Sequence, residues 1–288
     1  MTDRSKLMKV LEEILEEDEV RMCRILLSET KMKLRFGKHE EEIIETNIGS
    51  PQGDAISGMF FNIAFERAMR DLRSILNEQN PKIEHNYCQR SKMPEEMIYA
   101  DDTDFVNKDK EKDMLVRNKA DEILQRHSLK VNNDNWEMTM VERFNNVNEE
   151  KWRETKKLGS FLGDHHDMKH RIKQSNQAME RINCIWPSKK LKVEDRLKIY
   201  KSIIKSILTY NYATWGSTKE QTEKLNRAHR NQLRNILSNP YMKNKKLYEL
   251  TKETPISQQM CQARWRLLGH VMRINKDAPC QRAMDYYF

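Results

Sequence analysis

At 288 residues the chain has room for one large domain or two of ordinary size. Its eight Gly and seven Pro are too few for collagen-like, low-complexity or loop-dominated classes. The net charge of +8 conceals a division: residues 1–150 carry 23 Lys and Arg against 32 Asp and Glu, residues 151–288 carry 29 against 12, and so basic a second half points to a polyanion.

In chain order, Leu7, Val10, Leu11, Ile14 and Leu15 share one face of a first helix capped by Asp3 or Ser5. Val20, Met22, Cys23, Ile25, Leu26 and Leu27 continue it or form a second helix after Glu16–Glu19. Lys31–Phe36 and Glu42–Thr46 read as two strands of a hairpin around Gly37-Lys38-His39. Gly49-Ser50-Pro51-Gln52-Gly53 interrupts the pattern, and Asp54 caps a long helix with Phe60, Ile63, Ala64, Ala68 and Leu72 at a 3.6 period. After a polar loop over 77–95, Met97–Ala100 and Phe105-Val106 flank an acidic turn, Asp101-Asp102-Thr103-Asp104. A helix over 111–127 follows, then strand-like Glu137–Val141 and Lys157–Gly163. Beyond residue 163 the pattern is helical to a last helix around Gln258–Ile274. The chain therefore reads as α+β, a mixed part over 1–163 and a basic helical part over 164–288.

No apolar run reaches the ~18 residues of a membrane span. The acidic amino terminus has no signal pattern, and five scattered cysteines without a Cys-x-x-Cys pair give neither a zinc nor a disulfide framework. These features predict a soluble protein of nucleus or cytoplasm.

Two motifs carry chemistry. In Tyr99-Ala100-Asp101-Asp102, adjacent carboxylates project from a turn between short apolar strands. Keeping both ionised calls for a cation, and hard divalent ions take carboxylate together with phosphate oxygens. A pair of such ions can activate an attacking hydroxyl and stabilise a leaving oxygen. Alone, Asp-Asp is more often a simple turn signal. Ser50-Pro51-Gln52-Gly53-Asp54 is a Gly-containing loop opening a helix, suited to close approach of a phosphate.

In this order, about fifty residues apart, the two motifs resemble the palm of reverse transcriptases from non-LTR (LINE-type) retrotransposons. The resemblance implies an incomplete polymerase palm over 1–163 and a helical thumb over 164–288. It implies that Gln52 and Gly53 contact the incoming nucleotide, that Asp101 and Asp102 are catalytic and hold Mg²⁺ or Mn²⁺, and that Tyr99 packs under the primer end. Lys157–Gly163, with Gly159, is similar to the primer-grip hairpin; Leu208–Gly216 and Arg264–His270 are similar to the thumb and post-thumb region. The partners so implied are an RNA template, a DNA primer and deoxynucleoside triphosphates, with no membrane; the oligomeric state is left open.

The departures matter equally. Family members carry a further Asp on a strand before the first helix, and this chain begins at that helix with Met1-Thr2-Asp3-Arg4. Asn135 stands where relatives have the Lys proposed as general acid. The resemblance therefore implies RNA-directed DNA synthesis impaired in this chain; the alternatives are a nucleic-acid-binding remnant without catalysis and a degenerate product. Losing the upstream strand also predicts an unpaired edge along Met97-Ile98 or Phe105-Val106. Lys224, Arg227, Arg230 and Arg234 fall on one side of a helix, suited to tracking phosphates. Trp136, Trp186, Trp215 and Trp265 read as core.

Overall fold

The computed structural model describes residues 3–28, 31–36, 40–45, 49, 55–79, 96–106, 110–140, 151–188, 190–276, 278, 280, 281 and 284. They form an α+β chain, mainly helical, with three two-stranded antiparallel sheets. It divides into two compact units, 1–136 with 277–288, and 137–276. The hairpin within Lys157–Gly163 accordingly belongs to the second unit.

In the first unit, α1 (Arg4–Glu12) is capped by Asp3, whose carboxylate accepts from the Ser5 amide at 2.8 Å. The chain breaks after α1 and restarts as α2 (Glu17–Leu27), where Glu16 and Glu19 form a capping box. Three acidic residues in the first turn suit the positive end of that helix. Strands β1 (Lys31–Phe36) and β2 (Glu40–Glu45) pair antiparallel. Next comes α3 (Ser57–Gln79), then β3 (Glu96–Tyr99), β4 (Asp102–Phe105) and α4 (Lys110–Arg126).

The apolar stripe of α3 serves two clusters. Phe60 and Ala64 meet Leu7, Leu11, Cys23 and Leu27 of α1 and α2. Phe65, Ala68, Met69 and Leu72 meet Ala120 and Ile123 of α4 together with Leu129. Each fully buried side chain of leucine size contributes about 1.5–3 kcal/mol, so α3 is the spine of this unit. Glu137–Met140 forms no strand, contrary to the pattern reading; Val141 lies outside the described residues. An alternating pattern does not make a strand without a partner.

The second unit opens with β5 (Lys156–Lys157) and β6 (Ser160–Phe161), followed by α5 (Asp164–Arg181). One continuous helix then runs as α6 (Val193–Ile199), a π-helical turn (Tyr200–Lys205) and α7 (Ser206–Leu208). The unit ends with α8 (Lys219–Ile236), α9 (Asn244–Thr251) and α10 (Ile256–Arg273). Met179, Trp186, Leu197, Tyr200, Ile204, Leu233, Ile236 and Leu247 form its main core. A second cluster joins Met168, Leu208, Trp215, Leu225, Ile256 and Met260. No helix among the described residues is long and apolar enough to cross a membrane.

Candidate functional site

The acidic motif occupies the tip of the β3–β4 hairpin. Tyr99 pairs with Asp102, leaving Ala100-Asp101 as a two-residue turn with Ala100 at φ +54°. Tight hairpin turns need such left-handed backbone, usually from glycine, so Ala100 carries some strain. The hairpin is held at its base. Arg73 of α3 donates from Nε to Glu96 at 2.6 Å, and Phe105 packs on the α3–α4 core. The tip stands in solvent: Tyr99, Asp101 and Asp102 are exposed. Met97 and Ile98 are exposed too, and the hairpin pairs with no further strand among the described residues.

Mg²⁺ in such a motif needs more oxygens than two carboxylates supply. Among the described residues no group of three His, Cys, Asp or Glu is placed to hold a metal. Gln52, Gly53 and the expected cap Asp54 lie outside the described residues. The entry to their loop is fixed: Gly49 sits at φ +74° and its carbonyl accepts from Arg4 Nε at 2.7 Å, while Arg4 Nη1 donates to Leu27 O at 2.7 Å. Asn135 is exposed at the end of a short 3₁₀ turn, Asn133–Asn135.

The second unit draws three of the singled-out stretches together on α5. Leu158 (φ +49°) and Gly159 (φ +79°) form the two-residue turn of the β5–β6 hairpin, a primed geometry that closes strands tightly. Gly163 serves a different need: a Cβ there would lie 2.6 Å from Arg153 Cβ and 2.8 Å from the Arg153 carbonyl oxygen. Arg171 donates to Gly159 O at 2.6 Å and stacks over the Tyr210 ring, whose hydroxyl donates to Leu158 O at 2.8 Å. Asp167, wholly buried, accepts from the Phe161 amide at 3.2 Å and pairs with Arg171 Nε at 3.3 Å. Trp215 Nε1 donates to the same carboxylate, the Gly216 amide donates to Asp164 at 2.7 Å, and Arg264 donates to Trp215 O. The result is a rigid hairpin whose exposed edge presents Lys156 and the Leu158 side chain.

The cations of α8 are mostly engaged within the chain. Lys224 pairs with Glu220 at 2.8 Å and Arg230 with Glu223 at 2.6 Å. Arg234 donates to Met242 O at 3.1 Å and to Asn244 at 2.7 Å. Arg227 is exposed, with no carboxylate paired to it among the described residues. Of this row, Arg227 is the one placed to meet an outside anion.

Sequence reasoning missed a buried polar network beside these helices. The Tyr200 hydroxyl meets His229 Nδ1 at 2.7 Å and donates to Gln232 Oε1 at 3.0 Å; Gln232 Nε2 donates to Ser175 at 3.0 Å. Burial pushes the His229 imidazole down to about 4 and the Tyr200 hydroxyl well up. Burial also raises the Glu253 carboxyl, but Lys205 at 2.7 Å and Lys201 at 3.2 Å outweigh it and hold the group below the usual range. The π-helical turn at Tyr200–Lys205 was one signal, since such turns recur at functional sites, though composition does not reveal it. With Tyr200 and His229 sealed from solvent, this network fixes α5, the π-helical turn and α8 to one another.

Trp186 and Trp215 are core and Trp136 packs on the α3–α4 cluster, whereas Trp265 is 69% exposed, a correction to the core reading. Helical spacing identified a face but not whether anything covers it. Comparison with protein-family models, curated proteins and solved structures finds no match for this chain.

Proposed function

We propose that the chain is a reverse transcriptase-like protein of the non-LTR retrotransposon type, acting through primer–template binding, with DNA synthesis weak or lost. The palm and thumb identities belong to this reading. The observation that carries it is the β5–β6 hairpin, which the Asp167, Arg171, Tyr210 and Trp215 cluster holds as a rigid, lysine-bearing projection. That is the build a strand-gripping element requires. Tyr99-Ala100-Asp101-Asp102 at an exposed hairpin tip supports the palm assignment. Asn135, standing where the resemblance implies a general-acid Lys, supports impaired catalysis.

The test is fluorescence anisotropy of a primed RNA template over a salt series, with primer extension in Mg²⁺ or Mn²⁺ measured alongside. Tight, strongly salt-dependent binding without extension is expected. Binding that does not change with salt overturns the nucleic-acid reading. Robust extension that vanishes in Asp101→Asn overturns the loss of catalysis.

A further inference from the structure

α10 carries an uncovered apolar stripe. Ile256 and Met260 bury its first turns, but Cys261, Trp265, Leu268 and Met272 follow at spacings of four, three and four, which places them on one face. Trp265 is 69% exposed and Met272 65%. Arg266 and Arg273, seven apart, flank the stripe, and the helix contains no Asp or Glu. Exposed Trp, Met and Arg without Lys or carboxylates is the composition of a protein-binding face. A polyanion would engage the arginines and one ring but leave Leu268 and Met272 wet.

A matching face lies on α2. Its inner side, Val20, Cys23 and Leu27, is buried. Its outer side exposes Met22, Ile25 and Leu26, preceded by exposed Glu16, Glu17, Asp18 and Glu19. Two α10 faces together would oppose arginines, and two α2 faces would oppose carboxylates. Unlike faces join apolar stripe to apolar stripe with opposite charges at the rim.

We propose that α2 of one copy of this chain docks on α10 of a second copy, with the acidic first turn of α2 against Arg266 and Arg273. Each copy carries both faces, so two copies of the chain suffice to form the contact. This inference is independent of the nucleic-acid reading.

Sedimentation velocity of the full chain over a concentration series tests it. A monomer–dimer equilibrium is expected that weakens as salt screens the rim charges. Trp265→Ala is expected to weaken the dimer on the order of thirtyfold. Arg266→Glu with Arg273→Glu, and separately Glu17→Lys with Asp18→Lys, each weaken it; the four substitutions combined restore it. Unchanged circular dichroism spectra and melting temperatures establish that the variants fold. A monomer at every concentration, dimerisation unaffected by any of these variants, or no recovery in the combined variant overturns the proposal. So does Trp265→Ala weakening oligothymidylate binding while leaving sedimentation unchanged, which assigns the face to nucleic acid.

Discussion

Asp167 and Trp215, 48 residues apart in the chain, meet through an indole N–H···carboxylate bond of 3.0 Å, and neither side chain reaches water. The same carboxylate pairs with Arg171, whose guanidinium holds the β5–β6 turn. One buried charge therefore ties α5, the hairpin and the segment before α8 into a single piece.

Asp167→Ala leaves the buried Arg171 guanidinium without its carboxylate and the Trp215 N–H without an acceptor. We expect a loss of about 3–5 kcal/mol, because breaking a buried pair strands the remaining charge. Trp215→Phe, which removes a donor and some volume, costs about 1–3 kcal/mol. Urea unfolding followed by circular dichroism measures both. A loss below 1 kcal/mol for Asp167→Ala, in the range of an exposed pair, contradicts this account.

Gly163→Ala places a methyl against Arg153 Cβ and its carbonyl, where backbone cannot retreat as a flexible side-chain tip can. Overpacking of this kind costs about 1–3 kcal/mol. Gly58→Ala meets nothing within 4 Å and serves as the control, with no steric penalty. Equal melting temperatures for the two variants contradict the close-approach argument.

His229 links stability to pH. Its folded value of about 4 lies below the ordinary ~6.5, so below that ordinary value the unfolded chain binds the additional proton. Stability is therefore fully present above pH ~6.5 and is lost as pH falls toward 4, by a total on the order of 3 kcal/mol. Tyr200, Glu253, Lys205 and Arg230 face the ring. Glu253 is held below the usual carboxylate range, and its own contribution fades at the acid end of the same window. His229→Gln should flatten the stability profile between pH 6.5 and 4 relative to the parent; parallel profiles refute the linkage.

The α8 arginines separate binding from stability. Arg227→Ala should lower the salt slope of primer–template binding by about one and leave melting unchanged. Arg230→Ala removes the bond to Glu223, so its effect is expected on melting rather than on the slope. The reverse pattern would mean that Arg230 leaves its partner to meet the ligand.

Local signals made much of the fold legible. The apolar period of α3 and the Asp3 cap depend on near neighbours, and their elements form where the pattern placed them. The turn expected at Asp101–Asp104 forms earlier, at Ala100-Asp101, with Asp102–Asp104 in β4, and Lys157–Gly163, expected as a strand, folds back as a hairpin at Leu158-Gly159. What stayed hidden depends on distant partners. Arg234 read as part of a phosphate-tracking row because its acceptors, Met242 O and Asn244, lie beyond α8. His229 became visible only when Tyr200 and Glu253 closed around it. Trp265 shared the spacing of a core residue, and spacing is blind to what lies across from it.

The π-helical turn at Tyr200–Lys205 has a bearing on how this chain tolerates change in length. A π turn holds a surplus residue that the flanking α-helix does not need. Deleting Ser202 would let the segment revert to α-helical pitch, and because the residue lost is the surplus one, Leu208 would keep close to its present angle relative to Leu197. A single-codon deletion here would therefore leave the following turns burying the same residues, whereas one inside the unbroken α8 would turn every later residue of that helix by about 100°.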